Sequence, residues 1–300
     1  MNKNIKIALF FGGKISKHLV MVRAAARKLG VALDLVSYNK VSFDTVSGKV
    51  KLNDQDINDY DVLFFRTTGK HWEEVNLILD GVTRDDVVIV DPLVKKGRPS
   101  DACKAYQMLE LKKAGIDVPK TLYGCLFYLR DSVKDYFEFP IIIKGSGGDR
   151  GTRVFKADNM EELEKLVMSL RKSEVSEGKR YMAQEYIPND GDYRVLVLGD
   201  KVLGVMKRSS QSIEEFKNNY SAGGKVEVAD LPEEIKQLAV KAASVCGLWV
   251  AGVDVAFRDY DFKKPVIWEV NKGPQFRGFM EATKIDVPTE IIKFLVSLKK

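Results

Sequence analysis

A chain of 300 residues, 45% hydrophobic and 30% charged, has apolar content for two or three packed subdomains, and no apolar run in it approaches bilayer length. Two histidines (His18, His71) and three scattered cysteines (Cys103, Cys125, Cys246) argue against a Ser-His-Asp hydrolase, a histidine-rich metal centre, a zinc site or a disulfide framework, and suit buried thiols in a reducing cytoplasm. The net charge of +6 suits a nucleotide and an acidic substrate, and no aromatic-interleaved basic motif points to nucleic acid.

The N-terminal third reads as alternating strands and helices. The apolar stretch Ile5–Phe11, closed by Gly12 and Gly13, is too short for a secretory signal and reads as a first strand. His18–Leu29 has helical spacing and stops at Gly30, and Val31–Tyr38 is a second strand. Val50–Leu52 is a short edge piece. Tyr60–Phe65 and Val87–Val90 are further strands of an open parallel sheet, whose carboxyl ends are where ligands gather. Arg66 and His71 follow one such end and line a cleft or cap the surface.

Ser100–Ala114 carries helix signals, with Gly115 as stop and Pro119 beyond. Thr121–Gly124, Pro140–Lys144, Thr152–Phe155 and Tyr181–Tyr186 read as strands, and Asn159–Leu170 as a helix with an acidic first turn. Tyr193–Leu198 and Val202–Arg208 flank a Gly199–Asp200 turn and form an antiparallel hairpin. Pro232–Cys246 is an amphipathic helix ended by Gly247, Val250–Phe257 pairs with Pro265–Val270, and Val287–Lys299 is a closing helix.

Three groups of residues carry chemistry. Lys144 ends a strand and precedes a loop with Gly145, Gly147, Gly148 and Gly151, so an ammonium and backbone N–H groups can surround phosphate; an ordinary hairpin has the same pattern. Glu269 and Asn271 lie two apart on one strand and Asp254 on its partner, an all-oxygen set suited to magnesium rather than zinc. Asp192 and Arg194 share a strand face, with Lys207 and Arg208 across the hairpin and Lys217, Asn218 and Asn219 beyond. Converging cations beside a metal site are what phosphoryl transfer needs.

The order of these motifs, from Lys104 through Lys144 and its glycine loop, Gln184–Ile187, Asp192 and Arg194, Lys207 and Arg208, Lys217–Asn219 and Ala251–Asp254 to Glu269–Asn271, resembles the ATP-grasp superfamily, in its ribosomal-protein glutamate ligase (RimK-like) branch and the related lysine-biosynthesis carrier-protein ligases. The resemblance covers nearly the whole chain. It implies a mixed α/β and α+β fold: an N-terminal parallel α/β domain over 1–98, then a two-subdomain ATP-grasp fold over 99–180 and 181–300. It implies that Lys104 and Lys144 contact nucleotide phosphates, that Gly147, Gly148 and Gly151 belong to the phosphate loop, and that Glu185, Tyr186 and Ile187 form the hinge strand whose backbone reads adenine. Asp192 and Lys217–Asn219 match nucleotide contacts, Arg208 matches the residue that steadies an acyl-phosphate, with Lys207 and Arg194 beside it, and Asp254, Glu269 and Asn271 match ligands of Mg²⁺, which Mn²⁺ can replace.

The implied activity is ATP-dependent amide formation through an acyl-phosphate, releasing ADP and phosphate, on an amino acid, peptide or carrier protein, in the cytoplasm and without nucleic acid or membrane. A macrocyclase of ribosomal peptides and a non-catalytic ATP-binding module are the alternatives, and homo-oligomerisation stays open. Lys272–Arg277 departs from the glutamate ligases, which read Ser-Pro-Gly after the asparagine, so the acceptor side is where the pattern diverges. Arg66 and Arg277 are expected to face the cleft and bind a substrate carboxylate, which a planar guanidinium suits.

Overall fold

The computed structural model describes residues 5–69, 71–96, 103–146, 153–209 and 225–299. The first unit contains β1 (Lys6–Phe11), α1 (Lys17–Lys28), β2 (Ala32–Ser37), a small antiparallel sheet of β3 (Val41–Phe43), β4 (Val50–Leu52) and β5 (Gln55–Asp56), then β6 (Val62–Phe65), α2 (Trp72–Gly81) and β7 (Val88–Val90). The main sheet has the order β2-β1-β6-β7, with every pair parallel. Its strands are near-continuous apolar runs because both faces are covered. Leu9 and Phe64 join the cluster containing α1, while Ala8, Phe10, Leu63 and Phe65 pack with α2 and the small sheet.

The second unit begins with α3 (Lys104–Lys113), β8 (Thr121–Gly124), α4 (Leu126–Tyr136), β9 (Ile141–Gly145), β10 (Val154–Ala157), α5 (Met160–Ser176) and β11 (Tyr181–Glu185). Its antiparallel sheet has the order β10-β9-β11-β8. Period-two alternation sends Ile141 and Ile143 into a core with α4 and α5, and turns Ile142 and Lys144 to the other face. Strand β11 pairs with β8 and β9, so this sheet runs to Glu185 and a division at 180/181 would cut through it.

The last unit holds β12 (Asp192–Leu198), β13 (Lys201–Ser209), β14 (Lys225–Ala229), α6 (Glu233–Val245), β15 (Val250–Phe257), β16 (Pro265–Lys272), α7 (Arg277–Thr283) and α8 (Val287–Ser297). The sheet order is β14-β13-β12-β15-β16, all antiparallel. Val195, Val197, Val253 and Val255 face α6, while Leu196 and Leu198 face α1, α7 and α8 in a cluster shared with the parallel sheet. Asp91, fully buried at the end of β7, accepts the backbone N–H groups of Trp249 (2.7 Å) and Val250 (3.0 Å), which fixes the start of β15 to the first unit.

The three cysteines are all free thiols. Burial pushes the Cys246 thiol up to about 12, but Cys125 is exposed ahead of α4, contrary to the expectation of three buried thiols. Among the described residues, no helix is long and apolar enough to cross a membrane.

Candidate active site

Strand register builds the site. Asp192 on β12 lies opposite Arg208 on β13, Arg194 opposite Asp254 on β15, and Asp254 opposite Glu269 on β16. Asn271 lies opposite Gly252. Six polar side chains on four adjacent strands thereby share one sheet face, the face away from the α6 core. Gly252 makes room: a Cβ there would come within 2.9 Å of Pro274 Cβ and 3.4 Å of Arg194 Cδ.

The charges interlock. Arg194 grips Asp254 with its planar fork, Nε to Oδ1 and Nη2 to Oδ2, both at 2.7 Å. Arg208 Nη2 reaches the same Oδ2 at 2.9 Å and pairs in both of its donor positions with Asp192. Asn271 donates its amide N–H to Asp254 Oδ2 at 3.0 Å, so its oxygen is the atom left to face a cation. Burial alone would raise the Asp254 carboxyl; Arg194 and Arg208 outweigh it and hold the group below the ordinary carboxylate range. Burial raises the Asp192 carboxyl despite Arg208. Burial opposes the charge on Arg208, and its two carboxylate partners override that and hold it protonated.

Two lysines close the group. Lys104, at the start of α3, binds Glu269 Oε1 at 2.8 Å. Its backbone N–H donates to Ser146 O (3.0 Å), and Gln107 of the same helix donates to Val270 O (2.9 Å), so α3 ties β9 to β16. Lys144 has no direct ion-pair partner among the described residues. Burial and the neighbouring Lys104 ammonium push it down to about 8. Its charge is present below about pH 8, and an anion placed beside it would stabilise that charge. The affinity for a non-hydrolysable ATP analogue is therefore expected to fall as pH rises through about 8, with about half a proton taken up per nucleotide at the midpoint. Calorimetric titration in buffers of different ionisation enthalpy measures both; Lys144→Met should remove the step, and an affinity that stays flat between about pH 7 and 9 would contradict the role.

Two carboxylates and an amide oxygen are a donor set that would fit a hard divalent cation. Among the described residues, no group of three or more His, Cys, Asp or Glu gathers as a self-sufficient metal cage. Asp254 and Glu269 are balanced instead by Arg194, Arg208 and Lys104, which a nucleotide–cation pair would have to redistribute.

Several expectations meet a different arrangement. Lys207 alternates to the opposite face of β13, binds Asp190 at 2.7 Å and lies over the Tyr193 ring, apart from Arg194 and Arg208. Arg277 is 63% exposed and pairs with Glu281, four residues on, along α7. Arg66 is only 5% exposed; it donates to Pro274 O at 2.8 Å and stacks over Phe276, and burial lowers it to about 10. The two arginines therefore form no shared carboxylate clamp; Arg66 instead holds the segment after Asn271. His71 stacks on Tyr38 rather than reaching the ion network.

Glu185 keeps its side chain in a clasp with Lys120 N (2.7 Å) and Arg258 (2.7 Å), which leaves the backbone of Tyr186 and Ile187 to continue out of the sheet. Gly147, Gly148, Gly151, Lys217, Asn218 and Asn219 lie outside the described residues. Gln107 and Arg258 carry no local signal in the sequence, and Gly252 and Pro274 stand in the motifs Ala251–Asp254 and Lys272–Arg277 without a part assigned to them, because these parts depend on register and on partners far along the chain.

Gly273 shows how tightly the segment after Asn271 is seated. It has φ +56°, and a Cβ there would fall 2.4 Å from the Arg66 carbonyl oxygen. Gly273→Ala is expected to cost roughly 2 kcal/mol or more, from left-handed backbone and a clash with main chain. Urea unfolding measures the loss, and an unchanged midpoint would show that the segment yields.

A family model described as a RimK-like ATP-grasp domain matches residues 99–295. A probable alpha-L-glutamate ligase of Syntrophotalea carbinolica is 32% identical over 213 residues, which is 70% of this chain and 67% of that protein. Among solved structures, the ATP-grasp ligase PsnB, complexed with a phosphomimetic variant of a minimal precursor, Mg and ADP, superposes with TM-score 0.74 at 18% identity over 99% of both chains. The macrocyclase MdnC of Microcystis aeruginosa, bound with precursor peptide MdnA, superposes with TM-score 0.69 at 15% identity, over 98% of this chain and 100% of that one. At such identities these structures share the fold.

Proposed function

This chain belongs to the RimK-like ATP-grasp ligase family, and from that premise we propose that it uses ATP to activate a carboxylate and passes the acyl group to an amine. The observation that carries this reading is a sheet face on which Asp192, Asp254 and Glu269 interleave with Arg194 and Arg208, with Lys104 of α3 paired to Glu269 and Lys144 beside them without an ion-pair partner among the described residues.

In this reading Asp254, Glu269 and Asn271 hold a divalent cation, and Lys104 and Lys144 hold the phosphates. The bound cation supplies neutralisation of phosphate charge. A substrate carboxylate oxygen attacks the terminal phosphorus and the bond to ADP breaks. The amine then attacks the acyl carbon, phosphate departs with the bonding electrons, and the amine loses its proton. Arg194 and Arg208 lie on the same sheet face, and once a bound cation has redistributed their pairing with Asp254 they face the developing negative charge. No protein nucleophile takes part.

Relatives named glutamate ligases make glutamate the first substrate to try. A phosphate-release screen over amino acids and acidic peptides, with mass spectrometry of products, tests the proposal. ATP consumption with a product heavier by one condensed amine is expected. Loss of water within one peptide would assign a macrocyclase instead, and nucleotide binding without turnover for any pair would assign a non-catalytic module.

A further inference from the structure

A groove of about 770 Å³ opens on the surface between the start of α1 and α7. That volume is in the range of ligand clefts. Its floor is Val20, Met21 and Met280, with Ile15 at one end, 51% exposed. Its rim carries Lys17, Arg277 and Lys284 against a single carboxylate, Glu281. The first turn of α1 contains no acidic residue, so the positive end of that helix adds to the same sign. Outside the groove lining, His18 of α1 meets Phe276, the residue before α7, edge-on at 4.6 Å, which ties the two helices together.

We propose that this groove docks an acidic, amphipathic stretch of a peptide substrate, apolar side chains on the methionine floor and carboxylates on the basic rim. This rests on the ligase reading above and names its substrate class. Three features favour that occupant. An apolar floor under three cations and one acid is complementary to an anionic amphipath rather than to a neutral or basic one. Methionine side chains adapt to varied apolar partners, which suits a peptide more than a rigid small molecule. Two of the lining residues, Arg277 and Met280, belong to α7, which follows the segment from Asn271 pinned by Arg66 through Pro274, so the groove adjoins in sequence the strand that carries Glu269 and Asn271.

The test reads binding without turnover, so it separates this inference from the ligase assignment. A short fluorescein-labelled peptide of glutamate and leucine is titrated with the full chain, alongside versions with glutamine or lysine in place of glutamate. Saturable binding of the glutamate peptide is expected, at least about tenfold tighter than either control and weakened by salt. The exposed double change Lys17→Glu with Lys284→Glu should weaken it at least about tenfold while affinity for a non-hydrolysable ATP analogue stays the same. A photo-cross-linking version of the probe should label α1 and α7. Equal binding of all three peptides, no effect of the double change, labelling confined to other elements, or a groove covered by self-association in sedimentation would each overturn the proposal.

Discussion

Glu269→Gln is expected to reduce cation-dependent ATP turnover by about three orders of magnitude, the several kcal/mol that a cation contributes at a reacting phosphate. The change keeps size and shape but removes a formal charge from a two-carboxylate donor set. It also removes the ionic half of the 2.8 Å contact with Lys104, so two cationic side chains, Lys104 and Lys144, are left close together with less to balance them. Glu269 is partly exposed, and the fold is expected to survive with little loss of stability. Two measurements separate the roles: steady-state turnover across a Mg²⁺ titration, and the unfolding midpoint without nucleotide. Near-normal turnover would remove Glu269 from the site, and loss of turnover in step with loss of fold would make it structural.

Arg208→Met should be the most damaging single change to stability. Arg208 is buried between Asp192 and Asp254, and its removal strands a carboxylate that burial already disfavours. Breaking a buried pair from one side costs about 3–5 kcal/mol. Asp254 keeps its fork with Arg194, so the loss should fall mostly on Asp192. Pairing Arg208→Met with Asp192→Asn should then restore much of the stability without restoring turnover, a non-additive result that urea unfolding of the single and double variants would reveal. The sign of the pH dependence follows from the same pairs. Asp254 titrates below its ordinary value in the folded chain, so its contribution is full above about pH 4 and is lost as pH falls below that.

Much of this arrangement was legible in the sequence where local signals agree. The strand at Thr121–Gly124 and the pairing of Asp254 with the strand of Glu269 follow from period-two patterning and turn residues. Helices with a side-chain cap announced themselves: Ser16, Asn159 and Asp286 each accept a backbone N–H at a helix start. The helices α2, α4 and α7, which follow His71, Cys125 and Phe276, have neither a side-chain cap nor a glycine beyond the last turn to mark them, whereas α3 and α6 lack a side-chain cap but end at Gly115 and Gly247. The helix from Asn159 runs past Leu170 to Ser176, and its last turn is held by buried Glu174, which accepts Leu126 N at 2.8 Å, a partner no local pattern reveals. The same limit applies at the site. Residue types and order pointed to the anions and cations, but Lys207 falls on the opposite face from Arg208 through strand alternation, and Arg66 turns inward to Pro274 rather than outward to a ligand.

A carboxylate that is activated by phosphoryl transfer before an amine attacks it leaves one of its oxygens on the released phosphate. Turnover with a carboxylate substrate labelled with ¹⁸O in both oxygens tests it most directly, by mass spectrometry of the released phosphate. The expected products are ADP, an amide, and phosphate carrying one ¹⁸O atom from the carboxylate. Unlabelled phosphate, or AMP with pyrophosphate, would contradict it.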